Sequence, residues 1–302
     1  MVGIALARPC QDAGVNTPDV MRAIAAATSV ATSLDLPASD ATVLQNSNKL
    51  ALRLLPCDVF ARVAVVGQEV AQFEVELAHR LAGVGAPVCP LEPRVEPRVY
   101  TRDGFAVTLW TYYEPVTPRT SAADYAKALE RLHTGMRKVD VRSPRFTDRI
   151  TEAEDVVTDP ARSPELSAAD RAFLGSRLAS LRRAIDDRGA AEQLLHGEPH
   201  PGNVLSTENG PLFIDFETCC RGPVEFDLAH VPEAVCAHYP GIDQGLLDEC
   251  RQLVIAMVAA WRWERGDQFP NGKHFGEACL RLLREGPPWP ALDAMTKQLD
   301  GS

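Results

Sequence analysis

An acid, an amide and a second acid lie close together along one stretch of this chain, and their chemistry suits phosphoryl transfer. The stretch is Leu195-His196-Gly197-Glu198-Pro199-His200-Pro201-Gly202-Asn203-Val204-Leu205, followed by Phe213-Ile214-Asp215-Phe216-Glu217. Pro199, Pro201 and Gly202 forbid a regular helix between Glu198 and Asn203. The segment is therefore a shaped loop, a common place for reactive groups on a rigid scaffold. Val204-Leu205 and Leu212-Phe213-Ile214 flank Thr207-Glu208-Asn209-Gly210, which predicts a hairpin that sets Asn203 beside Asp215. Magnesium takes hard oxygen ligands, usually one or two carboxylates plus substrate phosphates, so Asp215 and the Asn203 amide oxygen suit it. Glu198 is then free to accept a hydrogen bond from a substrate hydroxyl and orient it.

Other chemistries fit less well. His196 and His200 do not form the His-Glu-x-x-His helix of a zinc hydrolase, because Gly197 and two prolines break that helix. Neither Gly-x-Ser-x-Gly, Gly-x-x-x-x-Gly-Lys nor Gly-x-Gly-x-x-Gly occurs. Eight scattered cysteines without a Cys-x-x-Cys pair read as reduced, buried thiols rather than a disulfide or zinc framework. A net charge of −10 argues against general nucleic-acid binding and favours a cationic substrate. The start of the chain shows no basic leader, and no apolar run of about 18 residues occurs. A cytoplasmic protein with no membrane partner is expected.

The elements that must carry these groups fall into two regions. Thr17-Pro18 opens a helix through about residue 32, with Thr17 as N-cap. Strands follow at 41–45, 49–55 and 59–66, with turns at 46–48 and 56–58. Residues 67–82 have a helical period with Val70, Phe73, Leu77 and Leu81 on one face. Residues 99–101 and 105–112 read as a hairpin around Arg102-Asp103-Gly104. Beyond Tyr113 the pattern is mainly helical. Ser121 and Ser167 cap helices, and a further helix spans roughly 244–264. These spans predict an α+β chain of two domains, 1–113 a small antiparallel-sheet lobe and 114–302 a larger, mainly helical lobe.

The motif His196 to Asn203, with Ile214-Asp215-Phe216-Glu217 and Glu225-Phe226-Asp227-Leu228-Ala229, resembles the aminoglycoside phosphotransferase family. The resemblance is strong over about residues 195–230 and a matter of pattern over about 40–135. It implies a bilobal, protein-kinase-like fold that uses ATP, with GTP as the alternative, and Mg2+. It implies Asn203 and Asp215 as metal ligands, Glu198 at the catalytic-base position and Asp227 as a structural acid beneath the loop. On the nucleotide side it implies Arg62 as the phosphate-binding cation and Glu74 as its helix partner, with Glu69 and Glu76 as alternatives. Trp110 to Glu114, with Trp110 and Tyr112 as named positions, would form the hinge that bonds the purine. The turn at 46–48 would cover the phosphates. Two positions depart from the family: Glu198 stands where Asp is usual, and Arg62 where Lys is usual. Arginine also binds phosphate, through a planar fork of donors.

The acceptor implied is a small, hydroxyl-bearing cation such as an aminoglycoside or related antibiotic, met by Trp261, Trp263, Glu264, Asp267 and Trp289. Tryptophans at this spacing more often pack a helix into the core. The acids near 151–159 are a second candidate wall, or a solvated face. The departures at 62 and 198 keep two other functions open: a weak or inactive nucleotide-binding pseudokinase, and a metabolic kinase of an amino alcohol or sugar.

Overall fold

Alternating apolar residues near the N-terminus build the first sheet. The computed structural model describes residues 17–46, 49–66, 70–114, 116–117 and 120–295. Helix α1 (Thr17–Ser33) precedes β1 (Ala38–Asn46), β2 (Leu50–Pro56) and β3 (Val59–Val65). Helix α2 (Val70–Gly83), β4 (Tyr100–Arg102) and β5 (Phe105–Thr111) follow. The five strands lie in the order β1-β2-β3-β5-β4, each pair antiparallel. Leu50, Leu52 and Leu54 of β2, with Val59, Ala61 and Val63 of β3, point to one face at the two-residue strand period. Ala23, Ala26, Ala27, Val30 and Ala31 of α1 cover that face at helical spacing. Phe60 and Arg62 alternate to the other face, where Phe60 packs against Val75 and Ala78 of α2 and Trp110 of β5.

The buried stripe of α2 is rotated from the expected one. Ala71, Glu74, Val75, Leu77, Ala78 and Leu81 are buried, while Val70 and Phe73 are only half-buried. The rotation carries an acid, Glu74, into the buried face. The expected start of this helix at 67–69, with Glu69, lies outside the described residues. So do Ser47 and Asn48 of the phosphate-covering turn. Strand β1 is longer than expected and largely exposed, as an edge strand.

The remaining elements are α3 (Ala122–Met136), α4 (Phe146–Thr158), α5 (Ala168–Asp187), β6 (Gln193–Leu195), β7 (Val204–Thr207), β8 (Gly210–Phe213), β9 (Cys220–Gly222), α6 (Val224–Leu228), α7 (Glu233–Cys236), α8 (Gln244–Trp261) and α9 (Gly272–Glu285). Every residue of α8 from Leu253 to Trp261 is buried, the mark of a helix enclosed by its neighbours. Those neighbours are α4, α5, α6 and α9. Ser121 and Ser167 cap α3 and α5 as expected, each accepting from a backbone N–H at 3.1 Å. Helix α4 was not expected. Its sequence mixes Asp148, Glu152, Glu154 and Asp155 with only a thin apolar stripe at Phe146, Ile150, Ala153, Val156 and Val157.

The chain divides into two compact units that are not consecutive halves. One comprises Gln11–Arg119 with Leu205–Glu217; the other comprises Thr120–Val204 with Thr218–Ser302. A single break at 113/114 therefore misses the second crossing. The stretch after β7 joins the sheet unit through the backbone: Cys89 N–H donates to the Phe213 carbonyl and Phe213 N–H to the Pro87 carbonyl, both at 2.9 Å. No described helix is long and apolar enough to cross a membrane. The seven described cysteines are free thiols, all buried.

Helix α3 depends on its cap, because the Ser121 hydroxyl satisfies the Asp124 N–H that the helix leaves unpaired. Ser121→Ala should cost about 1 kcal/mol of stability by urea titration, with an unchanged m-value.

Candidate active site

In the helical unit the loop from His196 to Asn203 is held from beneath by one acid. Asp227, in the short helix α6, is fully buried. Its carboxylate accepts the backbone N–H of His196 at 2.9 Å and of Gly197 at 2.8 Å, and lies 2.9 Å from His133 Nε2. The other ring nitrogen of His133 lies 2.7 Å from the Tyr239 hydroxyl. Burial works to raise the Asp227 pKa, but the His133 bond and the charge of nearby histidines hold it below the ordinary carboxylate range. Gly197 is required where it stands. Its φ is +91°, and a Cβ there would lie 1.9 Å from the Thr218 carbonyl oxygen. Tyr125 of α3 donates its hydroxyl to the Pro199 carbonyl. The loop closes in a 3-10 turn, Pro201–Asn203, capped by the His200 ring accepting the Gly202 N–H at 3.0 Å.

That scaffold presents Glu198 and Asn203 differently. Asn203 donates from Nδ2 to the Glu198 backbone carbonyl at 3.0 Å. With Nδ2 engaged, Oδ1 is the atom suited to a cation. Glu198 is not free, contrary to the expectation from its sequence. Its carboxylate is 2% exposed and forms an ion pair with Arg149 of α4. Arg149 also donates to the Gly197 carbonyl at 3.2 Å and lies over the Trp261 ring at 5.2 Å. Burial pushes the Glu198 pKa up, but the Arg149 charge, the nearby histidines and the Arg149 hydrogen bond together outweigh it, so the group stays below the usual range. Arg149 was invisible in the sequence, because nothing marks residue 149 as belonging with residue 198. Nearby His230 is 2% exposed, and among the described residues neither ring nitrogen has a hydrogen-bond partner. Burial lowers its pKa from 6.5 to about 4.

In the sheet unit the expected cation–carboxylate pair forms. Arg62 of β3 donates to Glu74 of α2 at 2.8 Å, and Glu74 also accepts the Phe216 backbone N–H at 3.2 Å. The same guanidinium reaches Asp215 at 3.2 Å and Glu217 at 3.4 Å. Burial works against the Arg62 charge, but Asp215, Glu74 and Glu217 together raise its pKa. Glu217 is pushed up to about 7, first by burial and then by the charge of Asp215. Asp215 sits at φ +67°, a left-handed conformation that Asp tolerates better than most residues and that often marks functional positions. The carboxylates of Glu74, Asp215 and Glu217 lie within 4.8 Å of one another, a spacing compatible with a metal ion. Glu76, the alternative to Glu74, is instead half-exposed and paired with Arg80. Lys49, which sequence reasoning passed over, joins the cluster through ion pairs to Glu74 and Glu217.

Trp110 and Tyr112 take different positions at the end of β5. Trp110 is a buried sheet residue, paired with Phe60 and bridged to Leu91, with its indole nitrogen bonded to Thr108 at 2.8 Å. Tyr112 stacks under Arg53 at 4.1 Å and lies beyond the strand end. The aromatic wall proposed for the acceptor is core instead. Trp261, Trp263 and Trp289 are all buried. Glu264 is paired with Arg162, and Asp267 lies 3.4 Å from Arg262. Of the second candidate wall, Glu154 is paired with Arg182 at 3.1 Å.

Comparison with known proteins agrees with this geometry. Residues 44–266 match the model of the phosphotransferase enzyme family, APH. No curated protein matches the chain in sequence. Among solved structures, an amicoumacin kinase, hAmiN, in complex with AMP-PNP, Ca2+ and Ami is similar at a TM-score of 0.67 and 10% identity, over 90% of this chain and 97% of that one. Choline kinase LicA from Streptococcus pneumoniae gives 0.65 and 17%, over 88% and 100%. A GDP and kanamycin complex of APH(2")-IIia gives 0.63 and 16%, over 85% and 97%. The expected kinase-like α+β fold, a small antiparallel sheet with a larger helical part, is the fold of this chain.

Two outcomes follow from the buried charges. Arg149→Ala strands the Glu198 carboxylate and should cost about 3–5 kcal/mol in chemical denaturation, while adding Glu198→Gln should recover much of that loss. His230 is held neutral, so the unfolded chain binds more protons between pH 6.5 and 4. Its contribution is present above pH 6.5 and is lost as the pH falls towards 4. Between pH 7 and pH 5, wild type should lose up to about 2 kcal/mol more than His230→Asn, compared by denaturation at both pH values.

Proposed function

Because the chain belongs to the phosphotransferase enzyme family, we propose that it is an ATP-dependent small-molecule kinase that transfers the γ-phosphate to an acceptor hydroxyl. The observation that carries the reading is the buried network of Arg62, Glu74 and Asp215. It ties a strand cation to a helix carboxylate and to the acid that the resemblance assigns to the metal. Kinases need that arrangement because transfer depends on positioning and on neutralising phosphate charge. GTP is the alternative nucleotide.

Asp215 and Asn203 are the proposed Mg2+ ligands. Each residue suits the ion by its own chemistry: Asn203 offers an amide oxygen oriented by its bond to Glu198, and Asp215 offers a carboxylate within the sheet unit's cluster of three acids facing two cations. When bound, magnesium neutralises charge on the transferring phosphate. Arg62 holds Glu74 and Asp215 in register. Asp227 fixes the backbone of residues 196–197, and so sets where Glu198 and Asn203 stand. Glu198 takes the position that orients the acceptor hydroxyl. The strand exit at Tyr112 is the proposed purine contact, since Trp110 is committed to the sheet.

A small cationic acceptor such as an aminoglycoside is favoured by the net charge of −10. An amino alcohol or sugar is the metabolic alternative. One observation favours a second reading, a weak or inactive nucleotide-binding protein: Glu198 is buried on Arg149. The test is Mg2+-dependent phosphate transfer from ATP and GTP to a panel of aminoglycosides, other cationic antibiotics, amino alcohols and sugars. Turnover on one class is expected. Asp215→Ala should lower kcat by at least about 10²-fold with the melting temperature retained. Nucleotide binding without transfer to any acceptor supports the second reading.

A further inference from the structure

We infer that Lys49, and not Arg62 alone, supplies the cation that binds the nucleotide phosphates, with Arg62 acting chiefly as the tie that holds the three acids. The inference rests on the kinase reading above. Lys49 lies one residue before β2. Ala51 pairs with Arg62 across the β2–β3 ladder, and Lys49 is two residues from Ala51, so the strand period brings Lys49 and Arg62 to the same face. Lys49 is 5% exposed, and lysine is seldom that buried unless paired. Its ammonium meets Glu74 and Glu217, two of the three carboxylates that Arg62 contacts.

The donors divide the labour. Arg62 commits Nη1 to Glu74 and Nη2 to Asp215 and Glu217, so both ends of its fork face carboxylates. Among the described residues Lys49 contacts two carboxylates, which accounts for two of its three N–H donors and leaves one for a phosphate oxygen. A lysine ammonium is also a compact point charge on a flexible stem, able to turn towards a phosphate while keeping one carboxylate. Arginine is the chain's usual cation. Of 31 basic residues only Lys49, Lys127, Lys138, Lys273 and Lys297 are lysines, and Lys49 is alone before residue 127. The sheet unit therefore holds one lysine, and it sits in the acid cluster.

Calorimetric binding of MgATP and of adenosine to wild type, Lys49→Met and Lys49→Arg tests the assignment. Lys49→Met should weaken MgATP binding about 10-fold or more, leave adenosine binding unchanged, and be partly rescued by Lys49→Arg. MgATP binding by folded Lys49→Met within about twofold of wild type, below the loss of one charged contact, overturns the inference. If Lys49→Met does not fold, wild type decides with an acyl-phosphate derivative of ATP. The Lys49 ammonium first releases a proton to water; the resulting amine attacks the acyl carbon, an amide forms as a second N–H proton passes to water, and the nucleotide leaves with the electron pair of the broken C–O bond. Mass spectrometry should find the acyl group on Lys49, with MgATP protecting it. No acylation at Lys49, or acylation that MgATP does not suppress, overturns the inference. Wild type that binds neither MgATP nor adenosine defeats the kinase reading as well. Wild type that binds MgATP while failing the Lys49 tests leaves that reading standing and removes only the lysine.

Discussion

A carboxylate taken out of water must find a counter-charge or several hydrogen bonds, because its desolvation is worth several kcal/mol. Each unit of this chain is organised around that requirement. Glu74 is met by Arg62, Lys49 and a backbone N–H. Glu198 is met by Arg149. Asp227 is met by two backbone amides and His133. Without those partners, the buried acids of α2, α6 and the 196–203 loop would each carry an uncompensated desolvation cost.

The three solutions differ in what they leave available. Asp227 is fully used, which suits a residue whose task is to fix two peptide groups. The Glu74 cluster sets three carboxyl groups against two cations, and burial with the charge of Asp215 pushes Glu217 up to about 7. Glu198 is satisfied by a single arginine that is itself stacked on Trp261. Holding Glu198 in that pair lowers its basicity, yet phosphoryl transfer asks little of a base and much of geometry. On the proposed kinase reading, the pairing would bear on how an acceptor hydroxyl is oriented more than on proton removal.

The acceptor side shows how the same requirement removes candidates. Acids and tryptophans near residues 261–289 look like a wall for an amine when seen as a string. In space the acids are spent on Arg162 and Arg262, and the rings fill the core around α8. On the proposed reading, charge complementarity to a cationic acceptor would rest on the whole surface rather than on that cluster.

Much was readable from residue order alone. The sheet strands, the Ser121 and Ser167 caps and the loop between Glu198 and Asn203 follow from local rules: two-residue alternation, side-chain capping, and prolines that bar a helix. The partnership of Arg62 with Glu74 came from a resemblance and was met in the structure at 2.8 Å. Helix α4, the rotated stripe of α2, Lys49 beside Glu74, and Arg149 on Glu198 were not readable. Each depends on groups 12 or more residues apart finding one another, or on a weakly apolar segment packing against α5 and α8. A local pattern records which face is apolar. Only the folded chain decides which buried charge is neutralised by which distant partner, because that choice is made by proximity in space, where the low dielectric makes an unpaired charge costly.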